Sequence, residues 1–325
     1  MAAGDDRQVG VERLLFLRSL ATTRPDGPEG AQLAAAMRDV HFRRGQQLFA
    51  IGDPSGDIYF LVKGSVRMAA PDTTPWDFEA PAVVGALDSF AGRPRTRRGV
   101  ATSDTHALVL AHTDWLAVLE EHFDFARESV LRLSGALWRL RLGVPGDGGY
   151  PPPPEARAPL ATGLGLLEKT LALREMPLFR GAGVQATLRL VELAEEIELR
   201  AGDTLCGEGD PCEVIDIVTS GLVAVACSDP AIRAAFGPGA LVGGAGPIGV
   251  DRFPFTAHAP EGAVVLRLRK DDVLDVMEDH FELTRAILLT INAEREEIMR
   301  KHGAGSDNAL RGAPQYAPRP ARRAT

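Results

Sequence analysis

The chain carries the same sequence pattern twice, and this internal repeat restricts its fold more than any other feature. The segment Gly45–Val66 aligns without a gap to Gly202–Val223, at an offset of 157 residues. Further along, at an offset of 158, the segment Asp114–Arg127 aligns to Asp272–Arg285. The two halves of the sequence are thus similar at almost the same offset throughout, which indicates two tandem copies of a single folded unit.

The length and composition of the chain divide it into two units with a spacer between them. A chain of 325 residues fits two domains of ordinary size. We expect domain 1 over residues 10–142 and domain 2 over residues 164–302. Residues 143–163 form a Pro/Gly-rich linker with four consecutive prolines, which favours a semi-rigid spacer outside either core. Residues 303–325 contain few large apolar side chains and predict a disordered basic tail.

Each unit has the same order of predicted secondary structure. A helical segment, around Val11–Leu20 in unit one and Leu164–Glu175 in unit two, precedes short strands rich in β-branched and aromatic residues. Strands are clearest at residues 58–62, 214–218 and 263–269, and glycine-containing turns separate them. A long helix ends each unit. The pattern predicts the α+β class, with two tandem antiparallel β-roll (jelly-roll-like) domains, each flanked by N- and C-terminal helices.

The two long helices each carry an apolar stripe at helical spacing. The stripes consist of Phe123, Val130, Leu131, Leu137 and Trp138 in unit one, and of Phe281, Ile287, Leu288, Ile291 and Ile298 in unit two. Two explanations are open. Either the stripes join two copies of the chain in a homodimer, or each stripe packs inside its own unit.

Charge, cysteine content and hydropathy argue against several classes of protein. The net charge of −8 is unfavourable for a surface devoted to nucleic acid, so we expect no nucleic-acid partner. Cys206, Cys212 and Cys227 are too few for a disulfide framework and form no CxxC pair, which argues against a structural zinc site. No run of about 18 apolar residues occurs, and the acidic N-terminus is not a signal peptide. We therefore expect a soluble cytoplasmic protein without a membrane partner.

No arrangement of residues typical of an enzyme is found. The stretch Gly244–Gly249 matches GxGxxG, but the residues after it show no helical pattern, so we interpret it as a tight turn and not as a dinucleotide site. No Ser/His/Asp or Cys/His arrangement has positional support, and no HExxH spacing occurs. We expect no catalytic residues, no metal ligands and no cofactor.

The repeated segments resemble the cyclic-nucleotide-binding domain family. The resemblance is carried by RGQQLF, IGDP and GDIYFLVKGSV within residues 44–66, by their copy ending at Val223, and by DWLAVLEEHF at the end of unit one. This family includes the catabolite activator proteins and the regulatory subunits of cyclic-AMP-dependent kinase. The resemblance implies a tandem regulatory module similar to the body of a kinase regulatory subunit. We expect no helix-turn-helix and no direct DNA binding, because the segment after the second long helix, which ends near His302, is too short and too rich in proline for three helices.

The family binds its ligand with a phosphate-binding cassette that reads roughly GELAL-xxx-PRxAxVxA. Residues 85–101 of unit one, GALDSFAGRPRTRRGVA, have the same length. Gly85 and Leu87 match the family pattern, and the resemblance implies that Arg95 binds the cyclic phosphate. It also implies that Thr96 contacts a guanine base, so cyclic AMP and cyclic GMP are the candidate ligands.

Unit one departs from the family where the ribose would bind. Ala86 stands in place of a glutamate that accepts a hydrogen bond from the ribose 2′-hydroxyl, and losing such a bond costs about 1.5–3 kcal/mol. Four arginines, at positions 93, 95, 97 and 98, give this segment a local positive charge. In an extended segment Arg93, Arg95 and Arg97 would share one face and form an anion site. The alternative is a solvated rim with one structural ion pair.

The equivalent cassette of unit two lacks the residues that would hold a nucleotide. Residues 243–259 read GGAGPIGVDRFPFTAHA. Gly243 matches the family, but Gly244 occupies the glutamate position and Phe253 the arginine position. A phenylalanine cannot bind phosphate and tends to fill a hollow. The sequence therefore predicts a degenerate pocket in domain 2.

These observations favour one function and leave two alternatives. The favoured function is a non-catalytic sensor whose domain 1 binds a cyclic nucleotide or another anion through Gly85, Ala86, Leu87, Arg95 and Thr96. The first alternative is a ligand-free protein-interaction scaffold, which the alanine at position 86 supports. In both cases the protein partner is unknown. A weaker alternative is an atypical transcriptional regulator that acts through its basic tail.

Overall fold

Both repeat units lie within the part of the chain that the structure describes. The structure is a computed structural model that describes residues 13–14, 17, 27–71, 75–144, 146–152, 163, 165–228 and 232–302. The predicted helix around Val11–Leu20 lies mostly outside these residues. The predicted disordered tail, residues 303–325, lies entirely outside them.

The described part of unit one contains eight strands and four helices. In chain order they are α1 (Pro28–Ala36), β1 (Arg38–Phe42), β2 (Gln47–Phe49), β3 (Asp57–Lys63), β4 (Ser65–Ala69), β5 (Trp76–Glu79), β6 (Ala82–Val84), α2 (Ala86–Phe90), β7 (Arg98–Ala101), β8 (Thr105–Ala111), α3 (His112–Glu121) and α4 (Phe123–Leu142).

The strands of unit one form two four-stranded antiparallel sheets. Their orders are β1-β8-β3-β6 and β2-β7-β4-β5. Strand β3 lies inside the first sheet, where Tyr59 pairs with Val109 on one side and with Val84 on the other. Alternate side chains of both sheets point inward and form an apolar core, because burying them removes apolar surface from water. This core includes Phe42, Phe49, Tyr59, Leu61, Val66, Met68 and Trp76.

The described part of unit two repeats this plan with seven strands and a 3-10 helix at the cassette. In chain order its elements are α5 (Leu166–Glu175), α6 (Pro177–Arg180), α7 (Val184–Leu193), β9 (Glu195–Leu199), β10 (Thr204–Cys206), β11 (Val214–Gly221), β12 (Val223–Cys227), β13 (Ile232–Phe236), the 3-10 helix (Gly246–Gly249), β14 (Thr256–His258), β15 (Ala263–Arg269), α8 (Lys270–Asp279) and α9 (Phe281–His302).

The sheets of unit two have the orders β10-β14-β12-β13 and β11-β15-β9. The counterpart of β6 is reduced to one isolated bridge between Ile217 and Leu241. The predicted α+β class, with tandem units of antiparallel strands flanked by helices, is confirmed. The three clearest predicted strands lie within β3, β11 and β15, and among the described residues the sheets do not close into a barrel.

The long terminal helix of each unit packs against the other unit. Helix α4 of unit one lies on the 3-10 helix of unit two. Its Trp138 enters the core of unit two, where the ring centroid lies 5.9 Å from that of Phe255. Helix α9 of unit two lies against both α2 and α4 of unit one. The helices therefore form one apolar layer that belongs to both units.

The apolar stripes of α4 and α9 are buried in this shared layer. Val130, Leu137, Ile287 and Ile291 are at most 1% exposed. The stripes thus pack against the other unit of the same chain, and only Phe123, Leu131 and Phe281 of the ten residues are partly exposed. The apolar stripes on which the homodimer expectation rested are therefore largely used within the chain, and the homodimer stays a prediction. No helix in the described part of the chain has both the length and the apolar character needed to cross a membrane.

Part of the predicted linker belongs to the core of unit two. Tyr150 is 3% exposed, and its ring stands edge-on to that of Phe236 at 5.0 Å between centroids. Its hydroxyl donates a hydrogen bond of 2.6 Å to the carbonyl of Gly243. The expectation that all of residues 143–163 lie outside either core is therefore wrong for Val144 and Tyr150, which both belong to core clusters. The aromatic ring gains an apolar partner and its hydroxyl gains an acceptor, which together hold this segment against the sheet.

Replacing Gly249 with alanine should destabilise the protein, because the contact between α4 and the 3-10 helix leaves no room for a side chain. A Cβ there would overlap the carbonyl oxygen of Leu131 and the amide nitrogen of Gly135. Overpacking of this kind costs about 1–3 kcal/mol. Thermal unfolding followed by circular dichroism should show a clearly lower Tm. The control is Gly56→Ala, where an added Cβ meets no atom within 4 Å and the Tm should stay at the wild-type value. An unchanged Tm for Gly249→Ala would contradict the role given to this contact.

Candidate functional site

The cassette of unit one begins at a glycine in the left-handed conformation. Gly85 has a φ of 85° and is the residue before helix α2. A Cβ at this position would lie 2.9 Å from Nη1 of Arg95, so the arginine can approach only because the residue is glycine. Helix α2 then places Ala86 and Leu87 at a cavity. The turn and the arginine are thus parts of one local structure.

The repeated Gly-Asp-Pro turn fixes the backbone of the cassette. The amide of Arg95 donates to the carbonyl of Asp53, and the amide of Gly52 donates to the carbonyl of Arg95, both at 2.8 Å. Unit two repeats the pair with Phe253: its amide donates to the carbonyl of Asp210 at 2.9 Å, and its carbonyl accepts from Gly209 at 2.8 Å. The repeat therefore holds one backbone position in both units, and only the side chain at that position differs.

The side chain of Arg95 is buried and is held by main-chain carbonyls. The residue is 2% exposed. Nη1 donates to the carbonyl of Gly85 and Nη2 to the carbonyl of Asp57. The guanidinium carbon lies 4.5 Å from the ring centroid of Phe49, a cation–π contact. The Nε atom of Arg95 is buried and has no hydrogen-bond partner.

Carbonyl oxygens, and no carboxylate of the residues that the structure describes, contact the guanidinium of Arg95. No ion pair joins it to a carboxylate in the part of the chain that the structure describes. Burial lowers the pKa of Arg95, because removal from water disfavours the charged form, and nearby acidic groups only partly oppose this. An arginine nevertheless keeps its proton in proteins. The site therefore contains a buried positive charge without a matching negative charge.

Asp88 organises the inside of the cassette. Its carboxylate accepts from Nε of Arg93 at 2.9 Å, from the amide of Thr96 at 3.0 Å and from the hydroxyl of Thr96 at 2.9 Å. The hydroxyl of Ser89 donates to the carbonyl of Gly85 at 2.9 Å. In this structure Thr96 therefore stabilises the cassette, and its hydroxyl proton is engaged by Asp88.

Arg93 and Arg97 turn away from Arg95 toward helix α9. Nη2 of Arg93 lies 2.7 Å from the carboxylate of Glu296, and Arg97 pairs with the other oxygen of the same carboxylate. The guanidinium carbon of Arg97 lies 5.5 Å from the ring centroid of Trp76. The expectation that the three arginines share one face is wrong. It assumed an extended segment, whereas residues 93–97 form no strand and β7 begins only at Arg98.

A cavity of about 70 Å³ lies between the cassette of unit one and helix α9 of unit two. The residues that matter for its chemistry are Gly85, Ala86, Leu87 and Asp88 of the cassette, Trp76 and Arg97 at the side, and Asn292 and Arg295 of α9. The cavity is much smaller than the roughly 300 Å³ at which ligand pockets begin. In this structure α9 therefore closes the site.

The cassette of unit two is filled by aromatic side chains. Phe253 is buried and packs on Phe255, with 5.9 Å between ring centroids. A Cβ on Gly243 would lie 2.5 Å from the ring of Phe255, so the glycine turn is closed tightly over that ring. Arg252, the neighbouring cation, is exposed and donates to the carbonyl of Gly209. The space that the arginine occupies in unit one is thus apolar in unit two.

A carboxylate of helix α9 also reaches the cassette of unit two. Glu294 accepts from the amide of Ala245 at 3.1 Å and pairs with Nη2 of Arg141 at 2.5 Å. Arg141 is 2% exposed and lies over the ring of Tyr150, 3.6 Å from its centroid. The main-chain N–H of Ala245 thus already binds an anion supplied by the protein.

Reasoning from the sequence missed the residues that connect the cassettes to distant segments. Glu294 and Glu296 give no signal in the sequence, because their role depends on where α9 crosses the two units. Tyr150 gave a weak signal, as the one aromatic residue among the glycines and prolines of the linker. Asp88 lies inside the predicted cassette and could have been identified there as an acid close to four arginines.

Both units match a known protein family. The model of the cyclic nucleotide-binding domain matches residues 39–122 and 196–280, which together span just over half of the chain. The chain belongs to the cyclic nucleotide-binding domain family, and it contains the domain twice. The cassettes at 85–101 and 243–259 lie inside the matched segments, whereas α4 and α9 follow them.

Several solved structures are similar to this chain. A cAMP-bound mutant regulatory subunit of a cAMP-independent protein kinase A from Trypanosoma brucei is 17% identical, covers 84% of this chain and 91% of that chain, and has a TM-score of 0.34. The regulatory domain of Toxoplasma gondii PKA with cAMP is 13% identical, with 85% and 94% covered and a TM-score of 0.32.

A shorter match is the N-terminal domain of a transcriptional regulator from Streptomyces coelicolor A3(2). It is 28% identical, covers 36% of this chain and 86% of that chain, and has a TM-score of 0.32. TM-scores of this size are too low for these structures to indicate a ligand or a partner of this chain. The search of curated proteins finds no significant match.

Two other candidate features take structural roles. The GxGxxG stretch Gly244–Gly249 contains the 3-10 helix against α4, as expected for a turn that does not open a long helix. Cys206, Cys212 and Cys227 are all buried and free. Burial raises the pKa of Cys206 to about 12 and that of Cys227 to about 11, and it also raises the pKa of Cys212.

The three thiols should therefore be unreactive in the native protein, because the thiolate is the reactive form and burial suppresses it. We expect a thiol-specific disulfide reagent at pH 8 to react only slowly with the folded chain. After unfolding in guanidinium, all three cysteines should react rapidly. Rapid reaction of one thiol in the native protein would contradict the burial described above.

Proposed function

We propose that the chain is a non-catalytic sensor in which unit one binds a cyclic nucleotide or a related phosphate-containing anion. The observation that carries this proposal is the buried guanidinium of Arg95, which two carbonyls hold and no carboxylate of the described residues neutralises. A buried charge is costly unless a counter-charge reaches it. A ligand phosphate supplies that charge and also offers oxygens to a planar guanidinium.

The rest of the cassette supports a ligand at this place. Gly85, Ala86 and Leu87 line the cavity, and the carbonyl of Gly85 accepts from Arg95, which lies directly behind that lining. Thr96 contributes by its hydrogen bonds to Asp88, which keep the cassette folded around Arg95. Cyclic AMP and cyclic GMP are the first ligands to test.

In this proposal unit two is a degenerate copy that binds no nucleotide. Phe253 replaces the arginine, and the aromatic rings of Phe253 and Phe255 fill the hollow. The amide of Ala245 is engaged by Glu294. A nucleotide in unit two would therefore have to displace both an apolar cluster and an ion pair without gaining a cation in return.

Helix α9 connects binding to signalling in this proposal. The cavity of about 70 Å³ cannot hold a nucleotide, and Asn292 and Arg295 of α9 form one side of it. Entry of a ligand requires α9 to move away from α2. Since α9 also packs on α4, this movement changes the shared helical layer, which is the part of the protein that a partner would sense.

A ligand-free scaffold is the second candidate function. It is favoured by the closed cavity and by the methyl group of Ala86, which offers no hydrogen bond to a ribose hydroxyl. The two candidates differ in one property: the sensor has an open state that a ligand stabilises, and the scaffold has none. The proposal of a regulator acting through the tail concerns residues 303–325, which lie outside the described residues.

Isothermal titration calorimetry with cyclic AMP and cyclic GMP should show binding at one site per chain. Arg95→Ala should weaken this binding by about 10- to 100-fold, because it removes a charge-assisted contact. Arg252→Ala is the matched control: it removes an exposed arginine next to the equivalent position of unit two and should leave the affinity unchanged.

Arg95→Lys keeps the positive charge at this position. The Tm of Arg95→Ala and that of Arg95→Lys are compared with the wild-type Tm, which shows whether a loss of binding comes from misfolding. Two sites per chain would disprove the degenerate state of unit two. Absence of any binding to the wild type by cyclic AMP, cyclic GMP or cyclic dinucleotides at millimolar concentration would disprove the sensor and leave the scaffold.

A further inference from the structure

Arg93 and Arg97 form an anion site that the protein fills with its own carboxylate. Both guanidinium groups pair with Glu296 of helix α9, one with each carboxylate oxygen. The side chain of Arg97 is only 9% exposed and lies over the ring of Trp76. Two arginines that converge on one carboxylate make a site with the charge and the geometry to hold a phosphate or a carboxylate group.

Arg97 joins this anion site to the cavity at the start of α2, because its side chain lines that cavity. Arg97, Ala86 and Arg295 all line that cavity. Among the described residues that line the cavity, Asp88 is the acidic one. Its carboxylate already accepts hydrogen bonds from Arg93 and Thr96. The lining is thus rich in hydrogen-bond donors and poor in free acceptors. It suits a second anionic group of a ligand better than a hydroxyl that has to donate.

We propose that the ligand of unit one carries two phosphate groups, one bound at Arg95 and the other taking the place of Glu296 between Arg93 and Arg97. The proposal rests on the function proposed above and specifies the class of its ligand. A cyclic dinucleotide has this chemistry, whereas cyclic AMP and cyclic GMP carry a single phosphate.

The difference between the two ligand classes follows from the burial of Arg97. Any ligand that enters must move α9, and with it Glu296 leaves the two arginines. A ligand with one phosphate, bound at Arg95, breaks the ion pair between the buried guanidinium of Arg97 and Glu296 and supplies no anion in place of that carboxylate, which is unfavourable. A second phosphate restores the ion pairs that Glu296 made. The exchange of one anion for another makes the opening of the site much less costly.

The test is calorimetry on the full chain with cyclic AMP, cyclic GMP, cyclic di-AMP and cyclic di-GMP. We expect at least one of the two-phosphate ligands to bind the wild type at least about tenfold more tightly than either one-phosphate ligand. Arg97→Gln should remove this preference by weakening the two-phosphate ligand about tenfold, with little effect on the others. Arg98→Gln is the matched control, because Arg98 is the exposed arginine next in the chain.

Glu296→Gln provides the opposite change. It removes the competing carboxylate and should strengthen binding of the two-phosphate ligand several-fold. The control is Glu282→Gln on the same helix, which removes an equal charge about 20 Å away, near His280. Ala86→Glu should reverse the selectivity, because a carboxylate in the cavity repels a second phosphate and accepts from a ribose hydroxyl.

The outcomes separate this inference from the proposed function. If the wild type binds cyclic AMP or cyclic GMP at least as tightly as both cyclic dinucleotides, or if Arg97→Gln leaves the preference intact, the two-phosphate ligand is disproved and the sensor stands. If neither class binds the wild type or Glu296→Gln, both proposals fail. Each variant is checked by its Tm, so that a loss of binding is not mistaken for a loss of fold.

Discussion

The structure depends on the exchange of the two long helices between the units. The helix that covers the cassette of each unit comes from the other unit. Helix α4 covers the cassette of unit two, and α9 covers that of unit one. The close contact between Gly135 and Gly249 brings α4 onto the 3-10 helix, and the buried stripes of α4 and α9 join the units in one apolar layer. Neither unit could therefore be removed without exposing the apolar surface of the other.

The same backbone supports two opposite environments at equivalent positions. The Gly-Asp-Pro turns hold residues 95 and 253 by matching pairs of main-chain hydrogen bonds. In unit one the side chain at this position is a guanidinium with two carbonyl partners, and in unit two it is a phenyl ring in an aromatic cluster. A charged site needs a counter-ion, whereas an apolar cluster is complete by itself. This difference explains why only unit one is proposed to bind a ligand.

The sequence was informative wherever the structure is local or repeated. The repeat predicted two units, the alternation of apolar residues predicted strands such as β15, and the alignment of the cassettes placed Arg95 and Phe253 at equivalent positions. It failed where the structure joins distant segments. The contact of Arg93 with Glu296 spans 203 residues, and no local pattern encodes it. The linker was misjudged around Tyr150 because its glycines and prolines are typical of a spacer.

Glu294 and Glu296 lie on one helix, and they bind the cassettes of different units. In the proposed sensor, unit two would therefore act by holding α9 and not by binding a ligand. The contacts of Glu294 with Arg141 and Ala245 hold α9 in place. The free energy needed to break them would therefore reduce the binding free energy of a ligand in unit one. A tandem built in this way would respond only above a threshold ligand concentration that its own contacts determine. In the proposed sensor, the strength of these contacts in unit two would set the ligand concentration at which unit one responds.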